Sequence, residues 1–205
     1  MSKRIVTFLV LFLFSGALRA EADDLTPYVG VGGGLFGAKY SEQGALGSLV
    51  LSKKTWGGFI KAGVDYQQYM GAELRTGLSG SVSTVFPAGT IGSATPIDLE
   101  IQTTNFISYL FKFQYPVSRK FRIYGLVGGT AGRFQIASAR GLRGAITTWK
   151  SAFSYGGGAE YKFRSKGSIG VEWVQYWKNV PLSIVSNATS KASLYGASVM
   201  VNKFF

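Results

Sequence analysis

The sequence predicts an all-β protein, an eight-stranded antiparallel up-and-down transmembrane β-barrel with short periplasmic turns and longer outer loops. Three observations carry this. Apolar and polar residues alternate with period two through eight segments, and no sustained i, i+3, i+4 stripe interrupts them. The links between the segments alternate short and long. Charged residues fall on the strand face that also carries Gly and Ser, and aromatic residues fall on the other. A soluble barrel has an apolar inside. An apolar outside with aromatic girdles and a polar inside belongs to a barrel in a membrane.

The chain begins MSKRIVTFLVLFLFSGALRAEADD. Lys3 and Arg4 precede an unbroken apolar run from Ile5 to Phe14, and Ala20-Glu21-Ala22 fits an A-x-A cleavage site. Residues 1–22 read as a secretory signal peptide, because the apolar run is too short to span a bilayer. Residues 23–205 then form one barrel domain. Its segments lie near 27–40, 56–66, 70–83, 100–115, 121–134, 149–163, 168–177 and 193–205. The links at 67–69, 116–120 and 164–167 are short, and those at 41–55, 84–99, 135–148 and 178–192 are long. An even strand number puts both ends on the short-turn side.

The faces follow from parity. Ile60, Ala62, Val64 and Tyr66 oppose Lys61, Gly63 and Asp65. Ala72, Leu74 and Leu78 oppose Glu73 and Arg75. Ile107, Tyr109, Phe111, Phe113 and Tyr115 oppose Ser108, Lys112 and Gln114. Trp149, Phe153, Tyr155, Tyr161 and Phe163 oppose Ser154, Gly156, Gly158 and Glu160, and Ile169, Val171, Trp173 and Trp177 oppose Gly170, Glu172 and Tyr176. Carboxylates placed inside a narrow barrel need counter-charges. The expectation is an interior ionic network of Lys61, Asp65, Glu73, Arg75, Lys112, Glu160 and Glu172 that plugs a lumen just wide enough for side chains. Arg119, Lys120 and Arg122 are expected at a periplasmic turn, snorkelling to lipid phosphates.

The stretches LFKFQYPVSRKFRIYGLVGGTAGRF, AEYKFRSKGSIGVEWVQYW and GVDYQQYMGAELRTG resemble the transmembrane domain of the OmpA-like family, over most of residues 27–205. The resemblance implies that Glu73, Lys112, Glu160 and Glu172 occupy that family's interior ionic positions. Gly170 stands where the family often has an interior Arg, so the pairing scheme must differ, with Arg75 as a candidate substitute. Without a further domain after the barrel, the chain looks more like the small OmpX, Ail and opacity types. In SLYGASVMVNKFF, Tyr195, Ala197, Val199 and Val201 share the parity of the terminal Phe205. Tyr195, Val199, Val201 and Phe205 thus resemble the signal read by the barrel assembly machinery. Lys203 departs from it, since an aromatic residue is commoner there.

Composition narrows the function. The formal net charge is +12, with 22 basic and 10 acidic residues. Removing Lys3, Arg4, Arg19 and Glu21 leaves 19 − 9 = +10. The outer loops and strand ends carry Lys39, Lys53, Lys54, Arg133, Arg140, Arg143, Lys150, Lys178 and Lys191, against Glu42, Asp98 and Glu100. The expected partners are outer membrane lipid and lipopolysaccharide, whose phosphates a basic face would hold. The alternatives are a surface adhesin binding acidic host glycans or proteins, and a small low-conductance porin. No nucleic-acid partner is expected for an exported chain, although FKFQYPVSRKFRIY mixes basic and aromatic residues. No catalytic, cofactor or metal site is expected. Cys and His are both absent, which removes thiolate and imidazole chemistry, and the barrel enzymes of similar architecture rely on a catalytic His. Gly32-Gly33-Gly34-Leu35-Phe36-Gly37 matches G-x-G-x-x-G but lacks the following helix and acidic residue of a dinucleotide site.

Overall fold

The computed structural model describes residues 25–45, 47–90, 93–101, 104–138, 146–163, 166–182 and 188–205. The segment read as a signal peptide, and Arg140 and Arg143, lie outside the described residues. The described residues form ten strands: β1 (Leu25–Gly44), β2 (Gly47–Tyr66), β3 (Met70–Ser79), β4 (Val82–Phe86), β5 (Ile97–Ile101), β6 (Thr104–Pro116), β7 (Phe121–Ser138), β8 (Ile146–Lys162), β9 (Gly167–Pro181) and β10 (Ala188–Phe204). Eight close a barrel in the cyclic order β7-β6-β3-β2-β1-β10-β9-β8, with a β7–β8 ladder completing the ring. Every pairing is antiparallel, and the first and last strands are neighbours, with Tyr28 opposite Phe204. No helix among the described residues is long and apolar enough to cross a membrane, and this barrel crosses with strands.

The outer end differs from the expected long loops. β1 and β2 continue into a tight hairpin, with Tyr40 opposite Leu51 and Glu42 opposite Leu49. The predicted loop 41–55 is therefore largely strand. Leu49 and Leu51 are buried while Val50 between them is 53% exposed, the alternation that keeps a strand running. The predicted third and fourth segments each hold two strands. β4 and β5 form a hairpin that rises above β3 and β6, and β5 pairs with the outer end of β7. The wall thus continues past the lipid as an ordinary apolar-cored sheet, filled by residues such as Leu49, Leu51, Val82, Ile101, Phe134, Val180 and Leu182.

Lower down the faces invert. Ile60, Leu74, Tyr109, Phe153 and Val171 are all more than half exposed, while Lys61, Arg75, Ser108, Ser154 and Glu172 beside them are buried. A soluble chain does not display such a continuous apolar belt, whereas hydrocarbon accepts it. One residue breaks the expected parity. Trp177 points inward and is fully buried, because the β9–β10 register shifts around Leu194 and leaves both Tyr176 and Trp177 inside. Its indole Nε1 donates to the Thr130 carbonyl at 3.0 Å and lies against Gly132, where a Cβ would collide with the ring.

Candidate functional site: interior ionic layer and outer basic row

The ionic layer is made of two chains of alternating charge. In the first, Lys61 Nζ lies 3.2 Å from Glu73, Arg75 joins Glu73, and Arg75 Nη1 and Nη2 donate to the two oxygens of Glu172 at 2.5 and 2.8 Å. In the second, Lys112 Nζ lies 2.6 Å from Asp65, Arg122 Nη1 lies 2.6 Å from the other Asp65 oxygen, and Arg122 Nη2 lies 2.5 Å from Glu160. Each reads Lys–acid–Arg–acid and is neutral. Tyr28 bridges them, accepting from Lys112 Nζ at 3.2 Å and donating to Glu73 at 2.8 Å. All eight charged side chains are nearly inaccessible to water, and hydroxyl and amide groups add hydrogen bonds to them. Tyr124 donates to Glu172 at 3.1 Å, and Asn202 Nδ2 donates to Glu160 at 2.8 Å.

Arg122 is the member that the sequence reading misplaced. It is buried, not snorkelled at the turn, and its guanidinium lies 5.4 Å from the Phe204 ring. Two signals pointed to it. Its parity opposes Phe121 and Ile123, and the seven expected members sum to 3 − 4 = −1, one cation short of neutrality. Arg122, not Arg75, compensates Glu160 opposite Gly170, where the neighbouring Met200 methyl fills the space a side chain would need.

Above the ions lies an aromatic layer. Phe36 stacks on Tyr176 with centroids 5.9 Å apart, and Phe106 meets Tyr176 at 4.6 Å. These rings come from β1, β9 and β6, so they join opposite walls across the lumen, as Arg75–Glu172 does below them.

Of the expected outer cations, Lys39, Lys53, Lys54, Arg133, Lys178 and Lys191 are exposed and Lys150 is half-buried. Lys53 and Lys150 share the inward parity of their strands, and Lys53 Nζ donates to the Ser83 carbonyl at 2.5 Å. Lys54, Lys39 and Lys191 share the outward face of β2, β1 and β10. The register sets Lys39 opposite Ser52 and Ser41 opposite Lys191, so the three are successive diagonal neighbours. Such neighbours lie about 7–8 Å apart. Lys178 follows on β9. Beneath the row sit the lipid-facing Leu35, Trp56 and Trp173, of which Trp56 is 73% exposed.

At the C-terminus, Val199, Val201 and Phe205 face outward and exposed, and Tyr195 is half-buried against Gly37. The Phe205 N–H donates to the Pro27 carbonyl at 3.0 Å, which ties the last residue to the first strand. No cluster of ligating side chains able to hold a metal occurs among the described residues.

No curated protein sequence matches the chain. Among solved structures, it is similar to the outer membrane protein OprG of Pseudomonas aeruginosa, at 12% identity and a TM-score of 0.59 over 87% of this chain and 95% of that one. It is also similar to the N-terminal β-barrel domain of Pseudomonas aeruginosa OprF, at 12% identity and 0.51 over 87% and 97%. A third similar structure is the outer membrane protease OmpT of Escherichia coli, at 9% identity and 0.52 over 88% and 97%. Likenesses this distant speak for the fold, and that fold is the closed, lipid-belted barrel described above. The sequence itself carries the assignment further, because residues 6–202 match the outer membrane protein beta-barrel domain, and the chain belongs to that family of outer membrane proteins.

Proposed function

We propose that the protein is a structural surface barrel whose outer basic row holds lipopolysaccharide phosphates, with residues 1–22 as its export signal and Tyr195, Val199, Val201 and Phe205 as the residues read by the assembly machinery. The observation that carries the reading is the diagonal Lys54–Lys39–Lys191 row with Lys178 at its end, directly above the apolar belt. Phosphates of the outer leaflet lie at that height, and a row of lysines without lipid-phase acids is suited to them. The test is refolding with lipopolysaccharide, against a variant carrying Lys39→Gln, Lys54→Gln, Lys178→Gln and Lys191→Gln. Wild type is expected to retain lipopolysaccharide through washing at moderate salt, and the variant to lose it. Equal retention overturns the reading.

Two rivals are separable. Lys53 and Lys150 sit on the inward parity at the outer mouth, away from lipid, where a soluble acidic glycan would meet them. Heparin-bead capture that survives loss of the outward row but not of this pair favours the adhesin. A low-conductance pore would need the ionic and aromatic layers to part, so stable channels in planar bilayers favour the porin. We take the protein as a non-enzyme, supported by a chain without a single His or Cys to serve as base or nucleophile.

A further inference from the structure

We infer that one arc of the periplasmic rim is a binding surface for anionic phospholipid of the inner leaflet. Five cations converge there from three stretches of chain. Arg119 and Lys120 are exposed on the turn between β6 and β7, Lys166 is exposed on the turn between β8 and β9, Lys203 is exposed at the end of β10, and Lys162 is half-buried at the end of β8. Backbone bonds fix them relative to one another. The Lys162 N–H donates to the Lys120 carbonyl at 2.7 Å, and the Phe204 N–H donates to the Lys166 carbonyl at 2.8 Å. Ser118 pins the first turn, its Oγ accepting from the Phe121 N–H at 3.1 Å. Lys162 Nζ stands 5.1 Å from the Phe204 ring, at the mouth of the barrel.

Two features point to lipid and not to a soluble anion. The same arc displays outward-facing Tyr115, Phe121, Tyr161, Phe163 and Phe205, all exposed, which is the aromatic girdle of the interface. The cations therefore sit at headgroup depth. Lys203 is the next outward residue after Val201 on the lipid face of β10, so its stem lies along the acyl boundary with its ammonium at the phosphates. This gives the departure from an aromatic residue at that position a physical role. The charge is also one-sided. Among the described residues, the remaining turn at this end presents Gln67, Gln68 and Tyr69, and the side chains of Asp65 and Glu160 are buried and already paired. A rigid arc of cations, set apart from the uncharged Gln67–Tyr69 turn, fits a lipid carrying more than one phosphate, as cardiolipin does.

The experiment uses the refolded barrel in phosphatidylcholine nanodiscs containing a minor fraction of cardiolipin, with retained lipid counted by native mass spectrometry after detergent release. Wild type is expected to retain cardiolipin over phosphatidylcholine, with retention falling as salt rises. Lys203→Gln should weaken it about fivefold, and Lys120→Gln, Lys166→Gln and Lys203→Gln together should erase the preference. Gln68→Ala, on the neutral arc, should not change it. Heat-modifiable migration certifies that each variant is folded. Should the triple variant fail to fold, the single Lys203→Gln and the salt dependence of wild type decide. Equal retention of both lipids by wild type overturns the inference, as does cardiolipin retained undiminished by a folded variant. Co-sedimentation with purified peptidoglycan that the triple substitution abolishes, with no lipid preference in wild type, overturns it in favour of a cell-wall contact.

Discussion

Replacing Arg75 with Met keeps the aliphatic stem and removes only the guanidinium. That group donates twice to Glu172 and joins Glu73, and it stacks 4.8 Å from the Phe59 ring. After the change Glu73 still has Lys61 at 3.2 Å and Tyr28 at 2.8 Å. Glu172 has no cation left, only the Tyr124 hydroxyl at 3.1 Å and Ser198 at 3.4 Å. Stranding one partner of a buried pair costs about 3–5 kcal/mol. With a urea slope of about 2 kcal/mol per molar, the unfolding midpoint should fall by roughly 2 M. The assay is equilibrium urea unfolding in lipid vesicles, read by the folded and unfolded bands of unboiled gels. Adding Glu172→Gln removes the stranded charge, so the double variant should be more stable than Arg75→Met alone by at least about 1 kcal/mol. A midpoint shift under about 0.5 M for Arg75→Met, or strictly additive losses, would refute the argument that this layer is energetically coupled.

Other outcomes follow from the same geometry. Arg122→Met should cost about 3 kcal/mol in that assay, whereas Arg119→Met, on the exposed turn, should change stability by less than about 0.5 kcal/mol. Tyr28→Phe removes the bridge between the two ionic chains and should lower stability by about 1–3 kcal/mol. Ile60→Arg places a charge on the lipid face and should cost about 2–4 kcal/mol if it lies near the midplane, a sign that the faces are assigned correctly. Trp177→Ala should cost about 3–5 kcal/mol and remove the most buried indole signal from the emission spectrum, since Trp56, Trp149 and Trp173 all face outward.

The barrel was legible because a strand repeats every two residues, and a sequence of alternating faces states its own inside and outside. Lys61, Arg75, Lys112, Glu160 and Glu172 could be placed by counting parity from exposed aromatic neighbours. Counting fails where the backbone gains a residue, and so Trp177 came out on the wrong side of a register shift that no local residue announces. Arg122 was misread for a different reason. It lies close to a turn, where a long basic side chain ordinarily snorkels, yet its parity directs it inward. The long outer hairpins were missed because their strands mix Gly, Ser and Lys with few apolar residues, so the alternation of Leu49 and Leu51 was too brief to stand out from a loop.

The division of charge among hairpins constrains how the barrel can be completed. β2 and β3 bring Lys61, Asp65, Glu73 and Arg75, which sum to zero. β6 and β7 bring Lys112 and Arg122, a surplus of two positive charges, and β8 and β9 bring Glu160 and Glu172, the matching deficit. A nascent sheet ending at β7 therefore carries an uncompensated double charge toward the lumen. It stays hydrated until β8 and β9 arrive, and only then can the interior dry. The hairpin that contributes the last two carboxylates thus neutralises the interior one strand before β10 joins β9 to β1 and closes the ring, and an intermediate lacking that hairpin has an electrostatic reason to remain open.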